Sequence, residues 1–112
     1  MEENQKMSKI IEQFSFYLLE NGIQDFSVEF KKTNKYISFI FVCKELKKER
    51  LNTLQQTFKT KRQAAFEYYG WELIGHGKSQ RDLALLSTLI DYFTYYLRDG
   101  KVHFNLVRYE RI

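Results

Sequence analysis

The chain has 112 residues, of which 44% are hydrophobic and 29% charged, with a net charge of +4 at pH 7. That length predicts one domain spanning residues 1–112, and the composition excludes a disordered tail. A single cysteine, Cys43, excludes an internal disulfide and gives no metal-ligand spacing, which fits a reducing cytoplasm.

The start, MEENQKMSK, has no apolar segment after a basic one, so no secretory signal is expected. Apolar residues recur from there at helical spacing, with Met7, Ile10, Ile11, Phe14 and Leu18 on one side and Tyr17 beside them. Asn21-Gly22 closes this helix, glycine being suited to a left-handed cap. In DFSVEF, Phe26, Val28 and Phe30 alternate with polar residues, the pattern of a half-buried strand. KKTNK then reads as a turn, and YISFIFV as a β-branched and aromatic strand buried on both faces. Residues 25–43 should therefore form a hairpin. The apolar stretch YISFIFVC is interrupted by Ser38 and falls far short of the ~20 residues a membrane-spanning helix needs.

Helical period returns over residues 44–69, where Leu51, Leu54, Phe58, Ala65 and Tyr69 share an arc, although no good N-cap residue marks the start. Gly70 is a candidate terminator. A third helix is predicted from about 80 to 91. Over 92–98 two templates compete, but Asp99-Gly100 between two β-rich runs is a strong hairpin signal, and a second hairpin at 92–109 follows. The predicted class is α+β, in the order α-β-β-α-α-β-β, with an antiparallel sheet of about four strands and helices on one face.

Chemistry is sparse. Gly77-Lys78-Ser79 resembles the close of a phosphate-binding loop, but Glu72 stands where the first glycine of that loop must be. Read forward, Ser79 and Asp82 match a helix-start capping box. Weak anion binding by Lys78 and Ser79 at that helix start is the functional alternative. His76 and His103 lack metal-ligand spacing and read as a loop and a strand-surface histidine, while Cys43 reads as a small buried thiol. Glu67 and Glu72 flank YYGW with nothing to distinguish their environments, as acid and base work requires. No catalytic residue, metal or cofactor is expected.

One charge pattern remains. On a helix over 44–69, Lys44, Lys48, Lys59 and Arg62 lie on one arc beside the apolar stripe. Such a ridge can track phosphates, with Tyr69 or Trp71 as stacking surfaces for a nucleic acid. The leading expectation is a small cytoplasmic, non-enzymatic domain that binds a protein partner or itself as a homodimer. Aromatic residues make up 17% of the chain and include eight tyrosines, a composition that suits protein contact surfaces. A nucleic-acid-binding accessory role is the alternative, and no membrane partner is expected.

Overall fold

A computed structural model describes residues 2–44, 46–59, 83–84 and 86–110. Its elements run α1 (Glu3–Glu20), β1 (Phe26–Lys32), β2 (Tyr36–Lys44), α2 (Lys48–Thr57), β3 (Tyr92–Arg98) and β4 (Lys101–Tyr109). The four strands form one antiparallel sheet in the order β1-β2-β4-β3, so two hairpins meet along their second strands. The α+β class and both hairpins agree with the sequence reading. Of the predicted third helix, Leu83, Ala84, Leu86 and Ser87 are helical, and its start lies outside the described residues.

Local chemistry explains the ends of these elements. The Gln5 side chain accepts the Glu2 N–H at 3.1 Å where α1 begins. At its other end Gly22 takes φ +81°, Ile23 N–H donates to Leu18 O and Gly22 N–H to Leu19 O, each at 3.0 Å. This paired pattern is a Schellman cap, and it satisfies carbonyls the helix would otherwise leave open. The β1–β2 turn is held by Thr33, whose hydroxyl accepts the N–H groups of Lys35 and Tyr36. Asp99 and Gly100, both at positive φ, make the two-residue turn between β3 and β4.

The boundary between β2 and α2 differs from the expected one. Lys44 does not open a helix. It pairs across the ladder with Lys101 and so ends β2, and α2 begins only at Lys48. Alignment of the strand end against β4 outweighs a weak local helical preference.

The core lies between the helices and one face of the sheet. Residues directly opposite in antiparallel strands point the same way, so Phe39, Phe41 and Cys43 share a face with Val102, Phe104 and Leu106. All six are buried. The Phe14 ring of α1 sits 4.6 Å from Phe41 and 5.2 Å from Phe104, which centres α1 over the boundary between β2 and β4. Phe58, just past α2, stacks on Phe93 of β3 at 4.4 Å. Both helices thus lie on one side of the sheet, displaced away from β1.

That displacement changes the expected burial of β1. Phe26, Val28 and Phe30 do share the helix-facing side, as their alternation requires, but Val28 is 37% and Phe30 45% exposed. A helix about 10 Å across, centred on the β2–β4 boundary, reaches about 5 Å to either side, whereas β1 lies about 7 Å away. The edge strand is left without a roof.

One polar group is locked into the same layer. Arg108 follows Leu106 on the core side of β4 and is 1% exposed. Its Nε and Nη2 donate to the two Glu3 carboxylate oxygens at 2.8 and 3.1 Å, and Nη1 donates to Leu89 O at 2.8 Å. The start of α1, the approach to β3 and the last strand are tied at one point.

Candidate functional site: the open face of the sheet

The register that sends Phe41 and Phe104 toward the helices sends their neighbours to the opposite face. There β2 presents Tyr36, Ser38, Ile40 and Val42, β4 presents His103, Asn105, Val107 and Tyr109, and β3 presents Tyr92, Thr94 and Tyr96. No described helix packs on this side. Tyr92, Tyr96 and Tyr109 are each about half exposed, at 52%, 48% and 50%. Between them Val107 and Ser38 are shielded, and Ile40 and Val42 half-buried, so the tyrosines rim a shallow apolar centre.

Two details give the face chemical character. The Tyr96 and His103 rings are stacked with centroids 4.6 Å apart and planes within 8°. One row further along, Asn105 lies between Ile40 and Thr94 in the cross-strand row, and its side-chain oxygen is sealed from solvent with no hydrogen-bond partner among the described residues. A buried acceptor left open costs free energy until a donor reaches it.

Among the described residues of this face, charges sit only at the margins. Glu29 and Lys31 lie on the β1 edge. Lys44, Lys101 and Arg98 are directly opposite one another on three adjacent strands and form a cationic row at the end of the face beyond Tyr96 and His103. Arg98 also approaches Asp99 at 3.9 Å, an exposed pair of little energetic weight.

A second concavity lies in the helical layer. Between the end of α1 and α2 a cleft of about 240 Å³ is lined by Tyr17, Glu20, Asn21, Arg50, Thr53, Thr57 and Leu83. The Tyr17 hydroxyl is buried without a partner among the described residues, and burial pushes its pKa above the usual value, an effect that nearby Arg50 opposes. The cleft mixes a carboxylate, a guanidinium and the carbonyl-rich end of α1, so it selects no single sign of charge.

The predicted basic ridge is distributed over both layers. Lys44 belongs to the open sheet face, Lys48 opens α2 and Lys59 follows it in the helical layer. Arg62, Tyr69 and Trp71 lie outside the described residues, as do Lys78 and Ser79 of the candidate anion loop. His76, Glu67 and Glu72 do so as well. His103 is on the strand surface and Cys43 is a buried thiol, both as expected, and burial raises the Cys43 pKa. Among the described residues no group of three or more His, Cys, Asp or Glu side chains is placed to hold a metal, and no helix is long and apolar enough to cross a membrane.

Tyr36, Tyr92, Tyr96, Asn105 and Tyr109 were not legible as a set from helical arcs and loop motifs. Their signal is the two-residue period itself. In YFTYYL and KVHFNLV the apolar positions Phe93, Val102, Phe104 and Leu106 claim one face, which consigns the intervening tyrosines, histidine and asparagine to the other. No protein-family model, curated protein or solved structure matches this chain.

Proposed function

We propose that this protein is a binding domain that acts through protein contacts, with the open sheet face as its recognition surface. The carrying observation is the arrangement of that face among the described residues: a centre of Ile40, Val42 and Val107 free of charge, bordered on the β3 side and at one end by tyrosines, with charged residues at the rim. Protein interfaces share this anatomy, since tyrosine brings a large apolar area and a polar tip at little entropic cost, and charges are depleted from the centre. The cytoplasm, with its many soluble partners, is the compartment this reading favours.

The test replaces tyrosines and follows specific partners. Wild type and a Tyr96→Ala/Tyr109→Ala variant are used to capture proteins, and each candidate partner is then purified and titrated by calorimetry. A loss of about 100-fold in affinity is expected for the variant if these rings act as hot spots. Equal affinity for both proteins excludes the open face.

One observation favours a second reading. The Lys44, Lys101 and Arg98 row adjoins the stacked Tyr96 and His103 rings, and cations beside aromatic planes are what a single-stranded nucleic acid binds. Titration with mixed-sequence oligonucleotides at two salt concentrations separates the readings. Tight binding that weakens steeply with salt and is lost in Lys101→Glu supports the nucleic acid, and no binding at low salt removes it.

A further inference from the structure

The edge strand β1 presents two unsatisfied surfaces on the same residues. Thr33 N–H donates to Tyr36 O at 2.9 Å, which makes Thr33 and Tyr36 a hydrogen-bonded pair of the β1–β2 ladder. Such pairs alternate along an antiparallel ladder, so Lys31, Glu29 and Ser27 direct their amides toward β2. Phe26, Val28, Phe30 and Lys32 direct theirs outward, to an edge that no other described strand occupies. Val28 and Phe30 are also the residues whose side chains extend past the cover of α1. The register with β2 runs without interruption from Phe26 to Lys32, so no bulge twists the edge away, and the chain has no proline to block it.

We propose that β1 is the docking edge for a second copy of this chain, paired antiparallel about a two-fold axis at Phe30. Two geometric conditions restrict the register. Paired residues must point to the same face, and the outward amides of one strand must meet the outward amides of the other. Registers centred on Val28, Glu29, Phe30 or Lys31 satisfy both, and charge chooses among them, since centring the axis on Val28 sets Glu29 against the partner's Ser27 and makes no ion pair within the strands. Centring the axis on Glu29 sets two carboxylates against each other, and centring it on Lys31 sets two ammonium groups together. Centring it on Phe30 places Glu29 opposite the partner's Lys31, twice by symmetry, on the open side. On the helix side it packs Phe30 against its symmetry mate and lays the Lys32 stem over the partner's Val28. The lysines that would blunt a bare edge thus become complementary to this partner.

The pairing forms about six backbone hydrogen bonds and joins two four-stranded sheets into one, with the association closed because both β1 edges are consumed. It goes beyond the open-face reading and uses none of the tyrosines on which that reading depends.

Sedimentation velocity over a range up to about 200 µM tests it, since a self-association is concentration-dependent. The wild type is expected to sediment as a dimer at the upper end. Glu29→Lys and Lys31→Glu should each weaken association by at least about tenfold, because each replaces two favourable cross-strand pairs with two unfavourable ones. The double swap Glu29→Lys/Lys31→Glu restores the pairs with reversed sign and should dimerise like wild type. Both substitutions lie at exposed positions, and circular dichroism verifies that each variant is folded. Tyr96→Ala/Tyr109→Ala should leave the dimer unchanged, which separates this interface from the open face. A wild type that stays monomeric throughout, a dimer indifferent to both single swaps, or a double swap that fails to restore association overturns the proposal.

Discussion

The Glu3–Arg108 pair allows a prediction whose order runs against intuition. Arg108 is almost fully buried, whereas its partner Glu3 keeps 40% of its side chain exposed. Removing the carboxylate by Glu3→Gln takes from the desolvated guanidinium the charged acceptor of its Nε and Nη2. Losing a charge-assisted pair costs about 1.5–3 kcal/mol, below the 3–5 kcal/mol of a fully buried pair because Glu3 faces water. Removing the arginine by Arg108→Met has a different outcome. Glu3 rehydrates, the methionine stem occupies the apolar part of the site, and the Leu89 carbonyl loses its guanidinium donor, about 1 kcal/mol.

Glu3→Gln should therefore destabilise more than Arg108→Met, and the double variant should lie within about 0.5 kcal/mol of Arg108→Met alone, as a double-mutant cycle of a coupled pair requires. The small residual is the loss of a carboxylate in the first turn of α1. Urea unfolding followed by circular dichroism at several protein concentrations gives the stabilities. Additive effects, or an Arg108→Met cost well above that of Glu3→Gln, refute the reasoning and show that the guanidinium is not held chiefly by Glu3.

Tyr17→Phe removes a sealed hydroxyl that has no partner among the described residues, and it is expected to raise stability by about 1 kcal/mol in the same unfolding assay, whereas a loss would reveal a hydrogen bond to that hydroxyl. The Tyr17 pKa is raised in the folded state, so an unfolded chain ionises first; stability is full below about pH 10 and falls as pH rises beyond it. Tyr17→Phe should flatten that alkaline decline, measured as the urea midpoint against pH, and an unchanged slope would assign the decline elsewhere, with the buried Cys43 thiol the first alternative. Gly22→Ala places a Cβ at φ +81°, where surrounding space is open but the backbone is unfavourable, and should cost about 1 kcal/mol; a neutral result means the Schellman cap is dispensable.

The features legible in the sequence are those whose causes are local. Gly22 and Asp99-Gly100 announce their turns through backbone conformations that few other residues adopt, and the strand at 92–98 followed from the second of them. Helical period continues through Lys44, while its cross-strand neighbour, Lys101, is distant in the chain, so local pattern alone places it in a helix. Arg108 and Glu3 lie 105 residues apart, and no spacing rule connects them. An arginine at a position that strand alternation assigns to the core is the available hint, since a buried charge implies a partner. Alternation in DFSVEF correctly put Phe26, Val28 and Phe30 on one face. Periodicity reports which side chains share a face, and only the placement of α1 decides whether anything covers it.

The open face and the β1 edge are linked by symmetry. A two-fold axis perpendicular to the sheet carries the helix-covered side of one copy into the helix-covered side of the other, so the two open faces become one continuous surface. On that joined surface the Glu29 and Lys31 side chains of both copies would lie along the seam, neutralised by one another. The tyrosine-bordered centres would flank them, and the Lys44, Lys101 and Arg98 rows would mark remote ends. A charge pair that was rim on the single chain becomes interior and compensated. A partner spanning both halves would then meet two equivalent sites, and its apparent affinity would draw on effective concentration as well as contact chemistry. In the proposed dimer the edge would set the valency of a surface whose specificity the proposal assigns to Tyr96 and Tyr109.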